Sequence, residues 1–310
     1  MPERSVAFLD ILGFKNYTLI DPAGAAQLLL NYHEIINTKL ADMVQFPAQN
    51  HIDPGLQNLA LEGEVGSFET FLPFSDSVFV ISNQPDLLIR QVSRFLIDSF
   101  QFTSGAFAHP ENPTDPTAVT ITELSLQGVS GRHGERWFPL LFRGGISFGD
   151  VLTPKVTAID QGRKTNITNL AGRAVVNAVS LEKTGKGPRL FCRADFYNLL
   201  SAQNRNFMTE INGGSCHELL WPAFVYHESS QPHVEINHFT DLFLPAANLW
   251  RAFRQQPEVE PHYREFLKLI VRSAQKWFNS KNSLEMANQH IEEKIVRFGL
   301  QELKETLLSL

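Results

Sequence analysis

The chain has 310 residues, of which 43% are hydrophobic and 19% are charged, and its formal net charge at pH 7 is -6. This length allows one elaborated domain with a sizeable core. The negative charge, without a run of basic residues, argues against broad electrostatic binding to nucleic acid.

Compartment and membrane contact are predicted from the cysteines and the apolar stretches. Cys192 and Cys216 are the two cysteines, too few for a disulfide framework. No charged and then apolar leader opens the sequence, and its apolar stretches are too short to span a bilayer. We therefore expect a cytoplasmic protein that does not bind a membrane.

The amino-terminal residues predict a strand followed by a long helix. Residues 5–12 are apolar and partly β-branched, and Gly13 closes this strand. Residues 22–43 carry apolar side chains at helical spacing, with Asp21 as the predicted N-cap and Pro22 at the first helical position.

A hairpin and a second helix are predicted next. The segments 68–74 and 77–82 are two short strands that flank Ser75 and Asp76. Apolar residues at helical spacing follow over residues 86–102. The order up to this point is βαββα.

The next segment has the composition of a long insertion. Residues 103–136 are rich in Gly, Pro, Asn and Thr, and one apolar piece, residues 118–126, predicts an inserted strand. A loop of this length within a domain is usually a functional flap or an insertion.

The βαββα order is completed after this insertion. Residues 141–151 predict a strand that turns into residues 151–159, and residues 169–185 predict a helix that Gly185 ends. Residues 188–193 predict a further strand.

These elements predict an α+β protein in two parts. Residues 1–194 form a ferredoxin-like βαββαβ core with an inserted loop and strand, and residues 195–310 form a mostly helical carboxyl-terminal extension. The predicted elements of the extension are a small strand pair, 223–228 and 234–239, and amphipathic helices at about 258–280 and 283–309.

Two aspartates form the candidate site. Asp10 interrupts a strand that otherwise has the pattern of a buried one, and Asp76 lies at the predicted hairpin. Their strands are neighbours in a βαββαβ sheet, so both carboxylates converge on one point, where they suit a hard cation such as Mg²⁺. The alternative is that Asp10 bonds to the backbone and Asp76 is an ordinary turn residue.

A tight turn follows the first aspartate. In residues 11–16, "ILGFKN", free backbone N–H groups are available for a triphosphate, and Gly13 permits its close approach. The alternatives for Lys15 are a contact with the triphosphate and exposure to water, of which water is favoured.

Four segments in order carry a family resemblance: "FLDILGFK", "FSDSVFV", "RGGISFGDV" and "GRAVVNAVSLE". Over residues 5–185 the chain resembles the class III nucleotidyl cyclases, and most closely their pyrimidine-specific branch from bacterial Pycsar antiphage defence. The resemblance implies two divalent ions, Mn²⁺ or Mg²⁺, held by Asp10 and Asp76 with the Ile11 carbonyl as an accessory ligand. It also implies that a stretch of residues lies along the phosphates: Phe8, Ile11, Leu12, Gly13 and Phe14.

The implied reaction is an intramolecular displacement. The ribose 3'-hydroxyl attacks the α-phosphorus and pyrophosphate leaves, while one ion lowers the hydroxyl pKa and the other neutralises charge on the phosphates. The favoured reaction converts UTP to 3',5'-cyclic UMP, and the alternative converts CTP to cyclic CMP. By the same resemblance, the product is an antiviral second messenger that a separate effector protein reads.

The base-contacting positions differ from those of the purine cyclases. Leu72 stands four residues before Asp76. At this position the adenylate cyclases are similar in carrying a lysine, and the guanylate cyclases in carrying a glutamate. At the second base-contacting position, Asn169 stands three residues before Gly172, and its amide both donates and accepts hydrogen bonds. The alternative for Asn169 is a helix N-cap.

The transition-state residues of the family are also replaced. Val176 and Ser180 stand where the resemblance implies an asparagine and an arginine. Arg143 and Arg173 are the candidate replacement cations, each with a structural ion pair as the alternative.

Three further expectations complete the sequence reading. Class III cyclases build their active sites between two catalytic domains, so the resemblance, with one such domain in this chain, implies a homodimer with two composite active sites. A catalytically inactive nucleotide sensor is the rival from another class, and a metal-dependent phosphodiesterase or polymerase-like palm domain is the third candidate.

Overall fold

The computed structural model describes residues 2–20, 22, 25–26, 28–30, 32–33, 69–104, 120–126, 129–135, 139–160, 163–226 and 232–309. Its strands are β1 (Glu3–Ile11), β2 (Thr70–Phe74), β3 (Ser77–Ser82), β4 (Thr120–Leu126), β5 (Val129–Glu135), β6 (Phe142–Asp150), β7 (Lys155–Asp160), β8 (Arg163–Thr168), β9 (Leu190–Arg193), β10 (Met208–Ile211) and β11 (Cys216–Leu219). Its helices include α1 (Phe14–Ile20), α2 (Pro85–Thr103), α3 (Arg173–Leu181), α4 (Ala194–Tyr197), α5 (Ala202–Arg205), α6 (Pro232–Phe253), α7 (Glu260–Ser280), α8 (Leu284–Arg297) and α9 (Lys304–Leu308).

A seven-stranded sheet organises the molecule, in the order β10-β11-β9-β6-β1-β3-β2. Its neighbouring strands are antiparallel except for the parallel pair β6 and β9. The order β6-β1-β3-β2 is that of a ferredoxin-like βαββαβ core, so the α+β prediction is confirmed.

The central strand β1 is buried on both faces, which explains its nearly continuous apolar sequence. Val6 and Phe8 point to the face that α3 covers. Ala7, Leu9 and Ile11 point to the other face, where they belong to the core cluster that includes buried residues of α2, α6 and α7. The alternation follows from the two-residue period of a strand.

Several predicted elements are confirmed. The hairpin β2–β3, helix α2 and strand β6 lie within a few residues of their predicted positions, and the inserted strand is β4, which pairs with β5. The first helical residues begin at Phe14, earlier than predicted. The described residues between 22 and 33 are helical, whereas Asp21 and residues 34–43 of the predicted helix lie outside the described residues.

The predicted strand pair of the carboxyl-terminal part is wrong. Residues 221–225 form a 3-10 helix, with Pro222 in its first turn, and residues 234–239 lie within α6. Proline suits the first turn of a helix, because its missing N–H has no partner there. The buried residues of α6 recur three and four positions apart, so packing of a helical face outweighs the short local alternation: Leu242, Phe243, Ala246, Ala247, Leu249 and Trp250.

The extension is otherwise mostly helical, as predicted. The predicted last helix is interrupted after α8 by Gly299, whose φ of 69° is the left-handed conformation that ends helices. Strands β10 and β11, which the sequence reading missed, extend the sheet beyond residue 194. The division at residue 194 stays a prediction. Among the described residues, the helices are all too short or too polar to traverse a lipid bilayer.

Candidate active site

Asp10 is the next-to-last residue of β1, and its neighbours across the sheet are Ser77 on β3 and Arg143 on β6. The two-residue turn between β2 and β3 carries Asp76. The Ile11 N–H donates a hydrogen bond of 2.9 Å to the Asp76 carbonyl oxygen, which fixes this turn at the end of β1. The strand order therefore brings both aspartates to one edge of the sheet.

A cleft of about 190 Å³ opens at this edge. Its lining residues come from the end of β1, the following turn, the hairpin, β6 and the start of α7: Asp10, Ile11, Leu12, Gly13, Phe14, Lys15, Asp76, Arg143, Glu258, Val259, His262 and Tyr263. Lys15 is exposed, as favoured above, and it also lies in the lining of the cleft.

The electrostatics of the cleft centre on Asp10. Burial, and next the charge of Asp76, raise the pKa of the Asp10 carboxyl to about 6, although Arg143 opposes the shift. The Arg143 Nε and Nη2 atoms lie 3.2 Å from Asp10 Oδ2, and Nη2 also lies 2.6 Å from Glu182 Oε1. One guanidinium is therefore shared between two carboxylates, and Asp10 remains undercompensated.

The turn after β1 lines the cleft, but the backbone N–H groups of Ile11 and Leu12, expected to be free for a triphosphate, already donate to backbone carbonyl oxygens. The Leu12 N–H donates to the Leu141 carbonyl oxygen at 2.7 Å, and Gly13 adopts a φ of 83° before α1 begins. A Cβ atom at Gly13 would meet nothing within 4 Å. Glycine is therefore required by the backbone conformation, and open space surrounds it.

Two predicted contact residues lie outside the cleft. Phe8 points to the α3 face, is 9% exposed, and places its ring centroid 4.9 Å from that of Phe79. Leu72, on β2, lies opposite Phe79 of β3. Neither Phe8 nor Leu72 is among the described residues that line the cleft, and their roles as nucleotide contacts stay predictions.

Asn169 and Arg173 lie at the other end of the sheet. Arg173 Nε is 3.2 Å from Asp150 Oδ1, and Asp150 pairs with Glu3 at the start of β1. Asp150 lies seven positions after Arg143 on β6, which is about 23 Å of strand. Within one chain, Arg173 cannot act on a ligand held by Asp10.

Asn169 is not the N-cap of α3, which was the alternative role considered for it. Gly172 occupies the N-cap, without a side-chain cap bond, while Asn169 Oδ1 accepts from the Leu170 N–H at 2.9 Å. The Asn169 side chain is exposed. Further along α3, Val176 is 68% exposed.

The donor set at the cleft fits a hard cation. Asp10 and Asp76 supply carboxylates to the cleft lining, and burial, followed by the like charge of Asp76, raises the pKa of Asp10. Within the described ranges, no group of three or more His, Cys, Asp or Glu side chains has a metal-binding arrangement. A cation here would therefore draw its other ligands from water and phosphate, as Mg²⁺ commonly does.

The start of α7 is the part of the cleft that sequence reasoning missed. Glu258, Val259, His262 and Tyr263 follow Asp10 by about 250 positions. Neither their spacing nor their composition connects them with the acidic pair, so packing of the extension alone brings them there.

No family model and no curated protein matches the chain. Among solved structures, adenylate cyclases from Trypanosoma brucei in their monomeric state are similar at 14% identity, with 70% of this chain and 87% of that chain covered and a TM-score of 0.37. The adenylyl cyclase CyaB from P. aeruginosa is similar at 16% identity, with 70% and 93% covered and a TM-score of 0.37. The guanylate cyclase domain of RhGC from Catenaria anguillulae in complex with GTP is similar at 14% identity, with 70% and 95% covered and a TM-score of 0.36.

Proposed function

We propose that the protein is a nucleotide cyclase that converts UTP to 3',5'-cyclic UMP and pyrophosphate. The observation that supports this proposal is the shared cleft of Asp10 and Asp76 beside the glycine turn at residues 12–14. Paired carboxylates next to exposed backbone suit a divalent cation bound together with phosphates.

The chain's own residues then bind and orient the triphosphate. Asp10 and Asp76, with the Ile11 carbonyl, would hold two divalent ions, Mn²⁺ or Mg²⁺, which when bound lower the pKa of the 3'-hydroxyl and neutralise charge on the leaving pyrophosphate. Leu12, Gly13 and Phe14 lie beside the phosphates. No side chain has to form a covalent intermediate, so positioning and charge stabilisation supply the catalysis.

Arg143 is the proposed catalytic cation of the chain. Its guanidinium lines the cleft and is shared between Asp10 and Glu182. When cations occupy the acidic pair, the guanidinium is available to neutralise charge on the α-phosphate.

The second group of predicted contacts supports a homodimer. Arg173 pairs with Asp150, which lies about 23 Å along the sheet from the partner of Asp10, and Asn169 precedes Arg173 by four positions. A head-to-tail dimer about a two-fold axis would place these residues of each protomer beside the acidic pair of its partner, giving two equivalent composite sites. In such a dimer, Asn169 and Leu72 contact the pyrimidine base and Arg173 contacts the phosphates.

The cellular role follows from the resemblance stated above. Cyclic UMP would be a cytoplasmic second messenger for antiviral defence, read by a separate cyclic-nucleotide effector. CTP and cyclic CMP are the alternative substrate and product, because the Asn169 amide satisfies either base edge by flipping.

The test is mass spectrometry of nucleotides after incubation of the purified protein with each of the four NTPs and Mn²⁺. We expect cyclic UMP and pyrophosphate from UTP, in an amount that rises steeply with protein concentration. Asp76→Ala should lower turnover by at least about 100-fold without unfolding the chain. Full activity in this variant would contradict the role of the acidic pair, and a linear product would favour a phosphodiesterase or a palm-domain polymerase.

One observation favours an inactive nucleotide sensor as the second candidate. Val176 and Ser180 stand on α3 where the resemblance implies polar transition-state residues, and Val176 is 68% exposed. Binding of UTP without any product from the four NTPs would support the sensor.

A further inference from the structure

The carboxyl-terminal helix α7 contributes one wall of the cleft. His262 and Tyr263 lie in its first turn, and both line the cleft together with Asp10, Asp76 and Arg143. The helix is 21 residues long and its inner face is part of the main core, so this wall is fixed by packing.

One hydrogen bond sets the tautomer of His262. The Gly187 N–H donates to His262 Nδ1 at 3.0 Å, so Nδ1 is the acceptor and the ring proton resides on Nε2. Burial, and next the positive charges of Arg143 and Lys186, lower the pKa of His262, which keeps the ring neutral. Nε2 makes no hydrogen bond to any residue in the part of the chain that the structure describes.

The loop that carries Gly187 fits closely against α7. Gly187 adopts a φ of 89°, and a Cβ atom there would lie 3.0 Å from the His262 carbonyl oxygen and 3.0 Å from the Glu265 Cβ atom. A larger residue would force the loop away from the helix. The glycine thus allows the short contact that holds the imidazole in one orientation.

A buried ion cluster anchors the same loop and helix. Glu218 on β11 is fully buried, and it accepts hydrogen bonds from Arg189 in the loop and from Arg272 on α7. Arg189 also lies 3.4 Å from Glu265 of α7. These contacts connect the sheet, the loop and the helix, so they hold the loop against the part of α7 that carries His262.

The charges around the cleft indicate which ligand group His262 serves. Arg143 and Lys15 supply positive charge in the lining, whereas Asp10, Asp76 and Glu258 supply the negative charge. With cations on the acidic pair, a triphosphate beside them presents anionic oxygens, for which a neutral N–H is a good donor.

We propose that the Nε2–H of His262 donates a hydrogen bond to an anionic oxygen of the triphosphate in this cleft, so that the carboxyl-terminal extension forms part of the substrate site. The inference rests on the proposed function, because it takes its ligand from the acidic pair. It adds a phosphate contact from a part of the chain outside the four segments that resemble the cyclases.

Two substitutions separate the two nitrogens of His262. Asn places its carbonyl oxygen near the position of Nδ1, so His262→Asn keeps the acceptor for Gly187 and loses the donor. Gln places its amide nitrogen near the position of Nε2, so His262→Gln keeps a donor and loses the acceptor. Thermal unfolding of both variants shows which of them retains the contact between the loop and the helix.

The binding test is calorimetric titration of wild type and both variants with inorganic tripolyphosphate and with UTP, in Mn²⁺. We expect His262→Asn to unfold at the wild-type temperature and to bind both probes about tenfold more weakly, and His262→Gln to bind within about threefold of wild type. Wild-type affinity in a folded His262→Asn variant would overturn the inference and leave the cyclase proposal intact. If wild type binds neither probe, the proposed function itself fails.

Discussion

Two groups of carboxylates in this molecule differ in how their charge is compensated. Glu218 is fully buried and bonds to two guanidiniums, those of Arg189 and Arg272. Asp10, with an 18% exposed side chain, has the charge of Asp76 nearby and shares one guanidinium with Glu182.

The difference separates a structural acid from a ligand-binding one. A buried carboxylate with two partners contributes to the fold as it stands, and removing it leaves positive charges uncompensated. A carboxylate whose pKa is raised by burial and by a like charge costs folding free energy until a cation neutralises it. Stability measurements with and without metal therefore distinguish the two groups.

The largest expected effect is on the buried cluster. Glu218→Ala leaves the guanidiniums of Arg189 and Arg272, which are 14% and 21% exposed, without their shared partner. We expect the free energy of unfolding to fall by about 3–5 kcal/mol in urea titrations, with the same loss in Mn²⁺ and in EDTA.

The matched control is Glu302→Ala. Its carboxylate pairs with Arg254 at the surface, where the two side chains are 57% and 49% exposed. An exposed pair contributes about 0–1 kcal/mol, so the control should unfold almost like wild type. Equal effects of the two substitutions would refute the assignment of Glu218 as a structural acid.

In the acidic cleft, removal of a carboxylate charge should raise the free energy of unfolding instead of lowering it. The folded-state pKa of Asp10, about 6, lies above its ordinary value of 3.8, so ionisation of Asp10 destabilises the fold. This penalty is absent below about pH 4, grows between pH 4 and pH 6, and is complete above pH 6. At 1.36 kcal/mol per pKa unit it reaches about 3 kcal/mol.

Asp10→Asn removes the ionisation. In EDTA at pH 7.5 we expect the variant to be more stable than wild type by about 1–3 kcal/mol, and this advantage should vanish near pH 4. Urea titrations at the two pH values measure it. A variant that is less stable than wild type at pH 7.5 would mean that Arg143 fully compensates Asp10.

A smaller loss of stability is expected from a substitution in the loop that contacts His262. Gly187→Ala introduces a Cβ atom at a φ of 89° and at 3.0 Å from α7. We expect about 1–2 kcal/mol less stability and a weaker affinity for tripolyphosphate, because the ring of His262 shifts with the loop. Gly213→Ala is the comparison, since its φ is 64° but a Cβ atom there meets nothing within 4 Å. Similar affinities for tripolyphosphate in the two variants would contradict an effect of the Gly187 loop on binding in the cleft.

The sequence predicts the core of this fold because local signals agree with the topology. The apolar run of β1, the hairpin around Asp76 and the helical spacing of α2 each define an element, and their order leaves few possible sheets. The meeting of Asp10 and Asp76 follows from that order.

The remainder depends on tertiary packing. Strands β10 and β11 have four residues each, which are too few for a periodic signal. The strand predicted at 234–239 lies within α6, because a stretch of six residues can alternate by chance. His262 enters the cleft through the docking of α7 on the core, which no local pattern encodes.

The central claim is that Asp10 and Asp76 together bind divalent cations beneath a nucleotide triphosphate. Titration of Mn²⁺ into the protein with UTP present, followed by electron paramagnetic resonance of the free ion, measures this directly. We predict saturable binding of two ions per chain in wild type and in Glu302→Ala, and a loss of at least about 30-fold in affinity in Asp76→Ala with an unchanged far-UV circular dichroism spectrum. Equal Mn²⁺ affinity in wild type and in folded Asp76→Ala would contradict the claim.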